Sequence, residues 1–335
     1  MFKNFSSVFL TFIGFIFYFF TKKTPNIFYK SYVRSYCFTN GLISEILSKI
    51  ISLKINKDKK KIQDISSEYF TESLDYNKIQ NTLKKNGYYV FDTKLNQNFL
   101  ENVLEFTKKN ECYFFDDSGE EKFGIYNNIE GKKNLSAKFS YDESKIFNVE
   151  VINKLIFDPC IIQICENYFE SRACLSNIDM WWTPVRKKAS IKNEIANKSA
   201  QFFHFDLDRI KWLKFFIYLT DTTLDDGPHE YVEGTNNVSR KEKKFLKEGY
   251  RRIKDEKIYN YYNSSSIKKL LGKKGTIFVG DTSCFHRGSP PVKNDRLLLV
   301  IEYSNSMFGG NYNKIKCNKN FNLNTRLNIK DKIIF

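Results

Sequence analysis

His204, Phe205 and Asp206 stand in a row, His286 follows within SCFHRG (283–288), and Arg296 opens the run RLLLVIEY. Two neutral imidazoles and one carboxylate on one face of an ion form the 2-His-1-carboxylate set. On Fe(II) that set leaves three positions open for a cosubstrate and O2. A guanidinium adds a planar fork suited to a carboxylate held end-on, a fit that a lysine cannot match. The chain has only three histidines, and two of them fall in this pattern. A lone His-x-Asp is weak, since chance supplies one in roughly one such chain in ten. Followed by a histidine in strand-like surroundings and then an arginine, it is far more specific. The candidate metal ligands, and the catalytic set, are therefore His204, Asp206 and His286. Arg296 is the candidate anchor for the distal carboxylate of 2-oxoglutarate.

The pattern needs strands to hold it. Residues i and i+2 of a strand share a face, so His204 and Asp206 point together while Phe205 faces away. His286, at the end of a strand SCFH, is expected to close the triad from the opposite sheet. From about residue 172 the stretches ACLSNIDMWWTPV, AQFFHFD, WLKFFIYLTD, HEYVEGT, TIFVGD and RLLLVIEYS read as short strands between polar or glycine-containing turns. A Lys/Glu-rich insert at 240–270 reads as helical. Upstream, GYYVFD (87–92) reads as a strand and 96–109 as an amphipathic helix. Residues 149–169 read as two helices broken at Asp158-Pro159, because the residue before a proline avoids helical geometry. Many short strands without regular βα alternation predict a mainly β chain with flanking helices, built as a double-stranded β-helix, or jelly roll.

With 335 residues, 32 of them Phe and 20 Tyr, the chain can fill a sizeable core. The net charge of +16 invites a nucleic-acid reading. Only ten of the 54 basic residues are Arg, however, and the lysines are scattered, so no nucleic-acid partner is expected. The runs KDKKK (57–61) and RKEKK (240–244) read as solvated faces. Seven cysteines without paired spacing fit free thiols in a reducing cytoplasm.

The first 60 residues form an apolar and then lysine-rich leader. Residues 4–21 carry no charge, and as a helix they reach about 27 Å, a borderline membrane span. Two readings stand. If the segment inserts, Lys22, Lys23, Lys30 and Arg34 outweigh Lys3 and keep the bulk of the chain on the cytoplasmic face. Otherwise the helix docks on the domain or on a membrane surface.

The stretch AQFFHFDLDRIKWLKFFIYLTDTTLDDGPHEYVEGTNN, followed by GTIFVGDTSCFHRGSPPVKNDRLLLVIEY, resembles the phytanoyl-CoA dioxygenase-like family. GYYVFDTKLNQNFLENVLEF resembles that family's opening strand and helix. The resemblance covers about 80–305 and is most specific over 199–305. It implies a double-stranded β-helix domain at 80–310, with Fe(II), 2-oxoglutarate as cosubstrate, and O2. It maps the triad onto His204, Asp206 and His286, and the 2-oxoglutarate arginine onto Arg296. The leader and a polar tail at 311–335 lie outside it.

Several neighbours are weighed beside the triad. Gln201 is a candidate for binding cosubstrate or substrate, or is a plain strand amide. Lys214, among aromatics, needs an acidic partner and is a second candidate for contacting cosubstrate. His229 suits a strand start or pocket lining better than metal binding. One of Trp181 and Trp182 is expected in the pocket and the other in the core. Asp281 and Arg287 read as structural. Halogenases on this scaffold lack the carboxylate ligand, so Asp206 favours hydroxylation of a small-molecule substrate at carbon. The alternatives are a jelly-roll binding protein with a vestigial or structural metal site, and a membrane-attached enzyme acting on lipid or lipid-linked sugar.

Overall fold

The computed structural model describes residues 2–55, 67–70, 73–116, 118–185, 201–317 and 327–334. The lysine run at 57–61 and parts of the 200–206, leader and tail stretches lie outside these residues. Helices α1 (Phe2–Thr21), α2 (Asn26–Phe38) and α3 (Leu42–Ile55) come first. Helix α4 (Tyr76–Asn86) starts on the Asp75 cap and stops at Gly87, whose φ of 88° favours glycine. The expected 96–109 helix is α5 (Gln97–Lys109), with the Asn96 side chain accepting from Phe99 N. Helices α6 (Glu150–Ile156) and α7 (Pro159–Phe169) break where expected, and Asp158 caps the second by accepting from Cys160 N and Ile161 N. The 240–270 insert is only partly helical: α8 (Lys243–Lys247) and α9 (Asp255–Tyr261) precede a strand.

The strands are β1 (Tyr88–Lys94), β2 (Cys112–Phe115), β3 (Glu121–Gly124), β4 (Phe139–Ser140), β5 (Cys174–Thr183) and β6 (Trp212–Tyr218). They continue as β7 (His229–Val232), β8 (Ile267–Leu270), β9 (Thr276–Gly280), β10 (His286–Gly288) and β11 (Arg296–Ser304). One sheet runs β1-β9-β6-β11-β5-β4-β2-β3, and a smaller one runs β10-β7-β8. All pairings within these two sheets are antiparallel. Two sheets of short antiparallel strands flanked by helices make the expected jelly roll.

Strand alternation divides the interior. On β6, Leu213, Phe215 and Ile217 pack under α5–α7, while Phe216 and Tyr218 face the other way with Tyr231, Phe278, Leu298 and Val300. Lys214 shares the parity of Phe216, and Arg296 and Glu302 share that of Leu298 and Val300, so all three belong to the face between the sheets. The sheets approach closely there: a Cβ on Gly280 would lie 2.0 Å from Tyr231 Oη, so only glycine fits.

The leader is not a separate appendage. Phe15 and Tyr18 of α1, Tyr32 and Tyr36 of α2, and Ile43, Leu47 and Ile51 of α3 share a core with Phe203, Phe205 and Phe308. Among the described residues no helix is long and apolar enough to cross a membrane. The tail also packs. Its β12 (Ile315–Lys316) pairs in parallel with β13 (Ile333–Ile334), and Ile315, Ile329 and Ile333 join the main core.

Candidate metal centre

His204 and His286 are backbone partners rather than residues of opposite sheets, contrary to expectation. His204 N donates to His286 O at 3.0 Å and His286 N to His204 O at 2.8 Å. Residues 201–206 make isolated bridges, Phe203 with Ile253 and His204 with His286, instead of a full strand. The i, i+2 geometry still holds, since Asp206 N is pinned to Thr282 O at 2.8 Å. Phe205 turns away onto Tyr36 of α2.

The three side chains converge. His204 Nε2 lies 3.6 Å from Asp206 Oδ1, and His286 Nε2 lies 3.6 Å from Asp206 Oδ2. One ligand atom from each falls within 4.8 Å of the others, close enough to hold one metal ion. Each ring is oriented from behind. His204 Nδ1 donates to Phe202 O and His286 Nδ1 to Cys284 O, both at 2.9 Å. A carbonyl can only accept, so these bonds place the proton on Nδ1 and leave the Nε2 lone pairs facing inward.

Protonation states suit cation binding. Burial, reinforced by the neighbouring His286, pushes His204 well below its usual range, and burial likewise lowers His286, so both rings are neutral. Burial alone would raise Asp206, but the Lys214 ammonium bonded to it outweighs that and keeps the carboxylate ionised. Lys214 Nζ lies 2.8 Å from Asp206 Oδ2, 3.2 Å from Asp208 Oδ2 and 3.2 Å from Glu302 Oε2.

Arg296 is buried on the same inner face, and its Nη2 is 3.5 Å from Thr183 Oγ1. Its Nε and Nη1 have no partner. A buried guanidinium with open donors calls for an anion, which is the role expected of an acidic cosubstrate. His229 is a close neighbour of His286 and feels the charge of Arg296. Its ring stacks on His286 at 5.4 Å and 14°, and both ring nitrogens lack partners. Burial first, then its neighbours His286 and Arg296, keep that ring neutral. It is not grouped with the ligands.

No family model matches this chain, and no curated protein does. Among solved structures 233 chains match. The non-heme alpha ketoglutarate dependent epimerase SnoN from nogalamycin biosynthesis is 11% identical, with 68% of this chain and 82% of that one covered at a TM-score of 0.45. HygX from Streptomyces hygroscopicus, with nickel, 2-oxoglutarate and hygromycin B bound, is 12% identical, covering 69% and 88% at 0.46. EctD from S. alaskensis, with 2-oxoglutarate and 5-hydroxyectoine, is 11% identical, covering 72% and 79% at 0.46. At these scores the likeness does not bear on what this site does, and its reading rests on its own side chains.

The other candidates fall variously. Gln201 is buried with both amide atoms unpartnered, so it remains open to a ligand. Lys214 is committed to three carboxylates, which leaves its ammonium fully engaged without a cosubstrate. Trp181 packs in the inner cluster, while Trp182 stacks on Tyr126 in the outer core. Arg287 pairs with Glu230 and Asp255, and Asp281 accepts from Tyr168 Oη and Ser283 N, so both brace the fold.

Lys241 departs from the solvated RKEKK face expected of it. It is buried, with Nζ 4.7 Å from the Phe205 ring, and it donates to Ser283 O. A lysine run gives no sign that its second member turns inward. Asp208 and Glu302 were also missed. The demand of Lys214 for an acidic partner was the one signal that pointed to them. A groove of about 710 Å³ opens between α2 and residues 243–250, with Tyr29 and Tyr250 in its wall. Tyr250 meets Phe205 at 5.5 Å. Burial and then the charge of Asp208 raise the Tyr29 phenol to about 12.

Proposed function

We propose that this chain is a non-haem Fe(II) enzyme that uses 2-oxoglutarate and O2 to oxidise a small molecule, with hydroxylation at carbon as its outcome. This is the chemistry implied by its resemblance to the phytanoyl-CoA dioxygenase-like family. One observation carries the reading: a buried His204–Asp206–His286 cluster shares an inner face with a guanidinium that has open donors.

The donor set fits Fe(II), since two imidazoles and one carboxylate are the protein ligands that such an ion takes on one face. Bound there with 2-oxoglutarate and O2, iron would supply the oxidising power for attack on a C–H bond while the oxo acid becomes succinate and CO2. The remaining work belongs to the chain. Phe202 O and Cys284 O hold the imidazoles in the tautomer that presents Nε2. Lys214 keeps Asp206 ionised and aimed. Arg296 takes the far carboxylate of the oxo acid, and Phe216, Phe278 and Tyr231 keep the surroundings dry. The presence of Asp206 favours hydroxylation over halogenation, which needs that position for a halide.

The purified chain, loaded with Fe(II) without oxygen, should develop a visible absorption band when 2-oxoglutarate is added. It should then release succinate on admission of air. Failure of both signals in a protein that binds iron stoichiometrically would overturn the assignment and leave a metal-binding jelly roll.

A further inference from the structure

We propose that the α1–α2 hairpin is a docking face that seats this protein flat on an anionic lipid bilayer. Helix α1 is apolar nearly all round, yet its two sides meet different surroundings. Ser7 and Thr11 are buried against α2, where they meet Arg34 and Ser35, while Phe15 and Tyr18 are buried on the domain, where Tyr18 Oη accepts from Met307 N and Phe15 meets Phe308. The opposite side leaves Phe5, Phe9, Ile13, Ile16, Phe17 and Phe20 exposed, a stripe at helical spacing. Phe9 is 67% exposed and Phe20 85%. Helix α2 adds Ile27 at 60% and Phe38 at 41%. The two helices run antiparallel, since Phe38 meets Phe5 and Phe28 meets Phe17, both at 5.8 Å. Contiguous apolar exposure on this scale marks an interaction surface.

Three features select the occupant. First, the hairpin is locked to the domain and to itself. A Cβ on Gly14 would sit 2.4 Å from Phe28 Cβ, and Thr11 Oγ1 lies 3.0 Å from Ser35 Oγ. It cannot swing out to span a bilayer, so its one free side can only lie in an interface. Second, the rim is wholly basic. Lys22, Lys23, Lys30 and Arg34 are exposed around the stripe, and neither helix contains Asp or Glu. That pattern complements anionic headgroups. Third, a second copy is a poor occupant, because a two-fold contact through this face would set the cations against one another with no acid to pair them.

The groove between α2 and residues 243–250 shares this edge, since Lys30, Arg34 and Phe38 belong both to its lining and to the exposed side of α2. Docking would therefore bring the groove to the lipid surface. The proposal stands whether or not the metal centre is an oxygenase, because binding is read without turnover.

The full-length chain is tested by flotation with vesicles of phosphatidylcholine alone and of phosphatidylcholine mixed with phosphatidylglycerol. The expected result is that it floats with the mixed vesicles and largely stays behind with the neutral ones. Phe9→Glu/Phe17→Glu should lower the bound fraction at least about tenfold, and Lys22→Glu/Lys23→Glu should remove the preference for the anionic lipid. Because Phe17 also meets Phe28 and Lys22 sits over Tyr18, a parent-like cooperative melt is required of both variants to certify their fold. The proposal is overturned if the parent stays behind with both vesicles, or if Phe9→Glu/Phe17→Glu floats as the parent does. A dimer of the parent that Phe9→Glu/Phe17→Glu dissociates, without vesicle binding, would assign the face to a second copy instead.

Discussion

Lys214 and Glu302 face each other in register across β6 and β11, and from that pair the ammonium reaches 2.8 Å to Asp206 Oδ2. One cation thus serves three carboxylates at the metal centre, two of them deeply buried. Lys214→Met strands the carboxylates of Asp206 and Glu302 in a poorly solvated site, which should cost about 3–5 kcal/mol of stability. A bound divalent ion restores part of the missing charge. Saturating Mn(II) should therefore narrow the gap between Lys214→Met and parent in denaturant midpoints. A gap that Mn(II) leaves unchanged would mean that Lys214 does not share its charge with the metal site.

This pair also shows where reading the chain stops. The His204–Phe205–Asp206 pattern is local, and strand alternation is enough to bring the two ligands to one side. Helix caps and breaks at Asn96 and Asp158 are local for the same reason. The partner of Lys214 depends on the register of β6 against β11, and no short stretch encodes a register between strands far apart in sequence. The same holds for His286, which joins His204 by backbone bonds instead of facing it across the barrel. The docking of α1 had a signal that its apolar run concealed: Ser7, Thr11, Gly14 and Tyr18 recur at helical spacing, and that side is the buried one.

Arg296 should govern cosubstrate affinity and not metal affinity. Arg296→Ala removes a bidentate, charge-assisted contact from a buried site, and Arg296→Lys retains charge but loses the fork. The expected outcome is a KM for 2-oxoglutarate raised about 100-fold or more in the alanine variant and by less in the lysine variant. Metal stoichiometry should stay unchanged in both. Equal KM values in parent and Arg296→Ala would place the carboxylate elsewhere, with Gln201 the next group to test.

His204 and His229 should separate cleanly in metal content. His204→Ala deletes one of three ligands, so bound iron and turnover should disappear together. His229→Phe keeps the ring that stacks on His286 and removes only nitrogens outside the ligand group. It should retain one metal per chain by elemental analysis. Loss of metal from His229→Phe to the extent seen in His204→Ala would make His229 a ligand and rewrite the triad.

Lys241 makes stability depend on pH in a predictable direction. Burial lowers its pKa to about 8 from the ordinary 10.5, against weaker opposing contributions from Cys284 and Asp281. Between those two values the unfolded chain carries a proton on Lys241 that the folded chain has released. Stability contributed through this group therefore rises as pH climbs from about 8 towards 10.5, and below 8 the folded state bears the cost of a buried charge. The tyrosines raised by burial work in the opposite sense at higher pH, so the parent alone does not isolate the effect. The difference between parent and Lys241→Met does, because it cancels the groups they share. At pH 7 the methionine variant should be the more stable by on the order of 2 kcal/mol, the gain from removing a buried charge less the bond to Ser283 O. That advantage should shrink steadily in urea titrations run from pH 8 to 10. A parent-minus-variant difference that stays flat across this range would show that Lys241 keeps an ordinary pKa inside its aromatic box.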